Sequence, residues 1–255
     1  VNSKPRIFSA MIATLGGTTL LSITPAASAN DEGRNHRSFV YVITNPAGPN
    51  AVEVFARSHR SGVLRRLGRF GTGGTGDPVV AGPEQHELAD DGRHLFVVNP
   101  GSNDISSMEI GEDGSLRLIG KVPSGGRRPV SLALSGDLLY VANEGSQPGE
   151  PPQGASYSGF RLRHDGELVP IPGSTIPFAT LDAPEDIVFD RSGRVVIAAR
   201  LAADAVDSFV VGPTGLLTNQ KTIQAHGGPF GIHISNDDER LLLVDLGLPE
   251  QFPNA

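Results

Sequence analysis

Cysteine is absent from this chain, and so is tryptophan. Without a thiol there is no disulfide framework, no thiolate metal site and no thiol nucleophile. The absence does not point to the cytosol, because a large exported domain can be stable without disulfides. Charged side chains make up 19% of the residues, too few for a solvated, disordered chain, so folding is expected. The balance is acidic, at −7, and the first 29 residues hold only Lys4 and Arg6 as charged side chains, so the remainder is more acidic still. Such a domain, with no long Lys/Arg stripe, repels nucleic acid and anionic membrane. The densest basic stretch, Arg57, Arg60, Arg65, Arg66 and Arg69, reads as a solvated hairpin face. Beyond the N-terminus no apolar run is long enough to span a bilayer. What is plentiful is glycine, 32 residues, and proline, 20, the composition of short elements joined by turns.

Lys4 and Arg6 precede a mainly apolar run from Ile7 to Ile23, then Pro25 and Ala27-Ser28-Ala29. That order predicts a secretory signal peptide over 1–29, cleaved after Ala29, then a polar leader over 30–38 and a folded domain over 39–255. A membrane anchor is the poorer reading, since the run is diluted by Thr14, Gly16, Gly17, Thr18 and Thr19. The expected location is outside the cytosol, secreted or periplasmic.

One phrase recurs four times: a proline, an apolar stretch, a polar turn, a β-rich run and a polar end. It reads Pro83 to Asn99, Pro129 to Asn143, Pro184 to Arg200 and Pro229 to Asp245. A second phrase, a turn glycine followed by leucine, alternates with it at Gly62-Val63-Leu64, Gly114-Ser115-Leu116, Gly166-Glu167-Leu168 and Gly215-Leu216-Leu217. Each unit of about fifty residues thus holds two hairpins, and x-Gly pairs suit the positive φ that tight hairpins require. Four strands per unit predict an all-β fold, a β-propeller of four to five blades. The fifth unit stops after its first hairpin, so the ring is expected to be incomplete, the product truncated and its open edges aggregation-prone. Gly71-Thr72-Gly73-Gly74-Thr75-Gly76 matches a dinucleotide fingerprint in letters. It runs into Asp77-Pro78 with no helix to follow, and is read as a flexible inter-strand loop. Residues 145–156, with three prolines, read as a loop insertion.

The phrases Leu138-Leu139-Tyr140-Val141-Ala142-Asn143-Glu144, Asp113-Gly114-Ser115-Leu116 and Leu243-Val244-Asp245-Leu246-Gly247 resemble the seven-bladed lactonase family over Phe39 to Gly247. That family includes 6-phosphogluconolactonases and fungal carboxymuconate-lactonizing enzymes. The resemblance implies a hydrolase or cyclase acting on a small sugar or aromatic-acid lactone. The family's Pro-His-type signature is replaced here by Pro229-Phe230-Gly231-Ile232-His233.

Lactone opening needs an activated water and a donor for the developing oxyanion. Residues beside the blade-initial prolines approach the axis of a propeller, which selects Glu84, His86, Arg128 and Glu185, with His86, Arg128 and Glu185 as catalytic candidates. Arg127-Arg128 also reads as a hook for a substrate carboxylate. Equivalent strand ends, Asn45, Asn99, Asn143, Arg200 and Asp245, would form a rim segment able to bind a sugar-like lactone or a hard cation, and Glu144 adds to it. The binding candidates are Asn99, Asn143, Glu144, Arg200 and Asp245; the plainer reading is that such residues cap strands by bonding nearby backbone. No residue is committed to a metal, and no cofactor is called for. The competing reading is a non-catalytic propeller that docks a protein or glycan.

Overall fold

In the computed structural model the described residues are 38–80, 82–146, 153–178, 182–235 and 239–247. The predicted signal peptide, its cleavage site and most of the loop insertion lie outside them. The described residues contain β-strands and turns only, in five antiparallel meanders. The first has three strands, β1 (Ser38–Ile43), β2 (Gly48–Arg57) and β3 (Leu64–Gly76). The second has four, β4 (His86–Leu88), β5 (His94–Asn99), β6 (Asp104–Ile110) and β7 (Leu116–Pro123). In the third, β8 (Pro129–Ser135), β9 (Leu138–Asn143) and β10 (Ser156–Leu162) are followed by an outer strand broken into β11 (Leu168–Pro170) and β12 (Ile176–Pro177). Ser174 bridges the break: its Oγ accepts from Gly159 N and donates to Gly159 O, both at 3.0 Å. The fourth holds β13 (Pro184–Phe189), β14 (Val195–Arg200), β15 (Ala205–Val211) and β16 (Leu217–Gln224), and the fifth β17 (Pro229–Ile234) and β18 (Leu241–Asp245).

The sheets stack face to face as propeller blades, and three apolar cores fill the spaces between blades one and two, two and three, and three and four. Being covered on both faces, β5 and β9 are buried at every residue, which is why they read as continuous apolar runs. The turn-leucine phrase has a packing meaning. Leu116, Leu168 and Leu217 each plug the core shared with the preceding blade. Their turn glycines, at φ of +83°, +86° and +88°, press so closely on that blade that a Cβ at Gly114 would stand 2.4 Å from the Phe39 ring. Leu64 carries the same phrase, has no preceding blade among the described residues, and is 50% exposed.

One expectation is corrected. Residues 71–76 are not a loop but the end of β3, paired with β2 from Ala51↔Gly71 to Gly48↔Gly76. The glycines there admit blade two: a Cβ on Gly74 would fall 2.4 Å from the Asn99 side chain.

Candidate active site

Strands β4, β8, β13 and β17 open their blades and stand side by side around the axis. Leu132 N donates to Glu84 O across blades two and three (2.8 Å). Asp186, buried on β13, pins three blades together: its Oδ1 accepts from Ser131 Oγ (2.7 Å) on β8, and its Oδ2 from Ile232 N (2.7 Å) on β17.

Around this pin the blade-initial residues gather carboxyl groups. Burial, then the negative charge of Asp186, pushes Glu84 up to about 7. Burial, then Glu84 and Asp90, pushes Glu87 up to about 8. Glu185, only 4% exposed, is pushed up to about 9 by burial and then by Glu144 and Asp186. Asp186 itself rises to about 6, since burial outweighs its three hydrogen bonds. At neutral pH the group therefore mixes ionised and protonated carboxyls, the pairing that general acid–base chemistry uses.

Of the predicted catalytic residues, Glu185 lies in this group together with Glu84, and the predicted binding residue Glu144 is coupled to it. His86 shares β4 with Glu87 but occupies the alternate position. Its ring engages the backbone of Tyr41 in blade one, burial lowers its pKa, and its Nδ1 has no hydrogen-bond partner. Arg128 has a left-handed backbone, φ 54°. Its Nε and Nη2 donate to Asp77 Oδ2 at 3.2 and 2.7 Å, so the anion in the expected hook is an internal carboxylate.

The strand-end residues do not form an open polar rim. Asn99 is fully buried, donating to Asp104 Oδ1 and Ser106 Oγ and accepting from Asn50 and Thr72. Asn143 is equally buried, with Nδ2 on Ser124 O and Ser156 Oγ. Asn45 lies beyond the end of β1 and ties down the next linker through Asp77 O and Val80 O. Arg200 is held by Asp207 through Nε and Nη2 and by Asp182 through Nη1, with its guanidinium 4.7 Å over the Phe178 ring. Asp245, exposed, accepts from Gly247 N. Asn45, Asn99, Asn143 and Arg200 thus bond to linkers and neighbouring strands.

Sequence reasoning passed over Asn103 and Asp204. Each follows a strand-end marker by four residues with φ near +55°, and each anchors the linker into the next blade. Asn103 Oδ1 accepts from Arg128 N (2.8 Å); Asp204 Oδ1 accepts from Gly227 N and Gly228 N (2.8 and 2.9 Å). The shared four-residue offset from Asn99 and Arg200 was the available signal.

A sequence profile described as lactonase, 7-bladed beta-propeller, matches residues 34–149, which hold blades one and two and the first hairpin of blade three. Over that stretch the chain is similar to the lactonase-type β-propellers. The fold is similar to that of a periplasmic gluconolactonase of Pseudomonas aeruginosa (17% identity, TM-score 0.64, 84% of this chain and 63% of that one). It is equally similar to a candidate 6-phosphogluconolactonase of Bacteroides uniformis (18% identity, TM-score 0.65, 81% and 61%) and to a protein of Lactobacillus plantarum (17%, TM-score 0.65, 82% and 61%). At these identities the likeness is one of fold. The chain spans about three-fifths of the length of these structures. No curated protein matches the sequence.

Proposed function

We propose that the axial carboxyl group is the working part of a lactone-opening centre in an exported protein. The observation that carries this reading is the gathering of buried carboxyls around Asp186, whose charge, after burial, helps push Glu84 up to about 7 and Glu185 up to about 9. Between those values Glu84 is largely ionised and Glu185 protonated. The Glu84 carboxylate takes a proton from water as the water oxygen attacks the lactone carbonyl. Collapse of the tetrahedral adduct breaks the ring C–O bond, and Glu185 delivers its proton to the departing alkoxide. Water is consumed, a hydroxy acid is formed, and proton exchange with solvent resets both carboxyls. The lactonase-type sequence pattern and the gluconolactonase among the fold neighbours support the substrate class; that neighbour's periplasmic location and the Lys4-to-Ala29 sequence pattern support export.

The test is pH-stat hydrolysis of a panel of aldono- and aromatic-acid lactones by the purified chain and its Glu84→Gln and Glu185→Gln variants. The expected result is turnover above the spontaneous rate, lowered about 100-fold or more in either variant. Turnover at the spontaneous rate across the panel, or variants as active as the parent, overturns the reading.

A further inference from the structure

Far from the axis, on the outer side of the junction between blades one and two, lies an open groove of about 440 Å³. Its origin is visible in the repeat. In blade two, His94, Glu109 and Arg117 form one row across β5, β6 and β7, and Glu109 neutralises Arg117 through a direct ion pair. The matching row of blade one, across β1, β2 and β3, is Phe39, Ala56 and Arg65. Alanine stands where blade two has its glutamate, with two consequences. The row is notched in its middle, and exposed Arg65 makes no ion pair or side-chain hydrogen bond among the described residues.

The remaining walls are amphipathic. Phe39, Leu67 and Phe70 supply an apolar and aromatic lining, while Asp113 and Ser115 of the blade-two turn close the other side. Beneath them is Tyr41, 6% exposed, whose hydroxyl has no hydrogen-bond partner. An unpaired cation beside aromatic faces describes a complementary ligand.

We infer that this groove binds a small aromatic carboxylate of the benzoate class, for which 4-aminobenzoate is a probe. The carboxylate pairs with Arg65 and the ring packs between Phe39 and Phe70. The site is distinct from the axial carboxyls, and the inference stands whether or not those carboxyls open lactones.

Calorimetric titration of the full chain with 4-aminobenzoate tests it, with thermal melts as a check on folding. Saturable binding is expected, weakened about tenfold or more by Arg65→Ala, which removes a charge-assisted pair. Ala56→Glu is expected to do the same by giving Arg65 the internal partner that Arg117 has, and 4-aminobenzamide, lacking the carboxylate, should bind as weakly. Arg117→Ala should leave the affinity unchanged. Absence of saturable binding to the parent chain overturns the inference, as does affinity that survives both Arg65→Ala and Ala56→Glu.

Discussion

Two buried polar centres of this propeller have opposite characters. The one around Arg200 is balanced: the guanidinium meets Asp207 and Asp182, and Asp207, with no exposed surface, also accepts from Thr222, Gln220 and the Tyr157 hydroxyl. Burial alone would lower the arginine's pKa, but Asp207 outweighs it and the net shift is upward. The one around Glu185 is not balanced: carboxyl faces carboxyl, and burial with mutual repulsion drives Glu84, Glu87 and Glu185 upward. A satisfied network stabilises a fold, whereas a strained set of like groups is the signature of chemistry. The contrast sets a paired cation at Arg200 against crowded carboxyls at Glu185.

The largest effect should come from breaking the balanced centre. Asp207→Ala leaves Arg200 buried with half its partners gone and should cost about 3–5 kcal/mol, read as a lowered denaturant midpoint. Next is the packing that holds the blades in register. Leu168→Ala empties a core position and should cost about 2–4 kcal/mol, while Leu64→Ala, the same phrase in an exposed setting, should stay within about 0.5 kcal/mol. A comparable loss at both leucines would mean that the turn phrase is not an inter-blade plug.

The unbalanced centre should respond with the opposite sign. Because the folded pKa of Glu185 lies above its unfolded value of 4.5, its contribution to stability is full below pH 4.5 and is lost as pH rises toward about 9. Glu185→Gln should therefore raise Tm at pH 9 by a few degrees and leave it nearly unchanged at pH 4, a difference that melts at the two pH values would register. A variant that melts lower than the parent at pH 9 would make Glu185 a structural residue like Asp207.

The blade repeat was legible because its causes are local. Turn glycines need positive φ, and strands covered on two faces need unbroken apolar runs, so Gly114 with Leu116 and Leu138 to Ala142 announce themselves. The same phrase misleads where its neighbours differ: Leu241 to Asp245 reads like β9, yet β18 is largely exposed. Gly71 to Gly76 was misjudged for a related reason. Glycine's permissiveness suggests a loop, whereas the lack of a Cβ here serves the close approach of Asn99. Of the site, proximity to the blade-initial prolines pointed to Glu84 and Glu185, but no spacing rule foretold that Asp77 would occupy Arg128 or that Asn99 and Asn143 would turn inward. Those outcomes depend on contacts between residues distant in sequence, from 13 positions for Asn143 and Ser156 to 51 for Asp77 and Arg128.

The central claim is that neighbouring axial carboxyls titrate far apart, and carboxyl-carbon NMR of the chain labelled at glutamate side chains measures it directly. The account predicts midpoints of about 7 for Glu84, about 8 for Glu87 and about 9 for Glu185, each signal assigned by its loss in the matching Gln variant. Titration of all three near the ordinary value of 4.5 would contradict it.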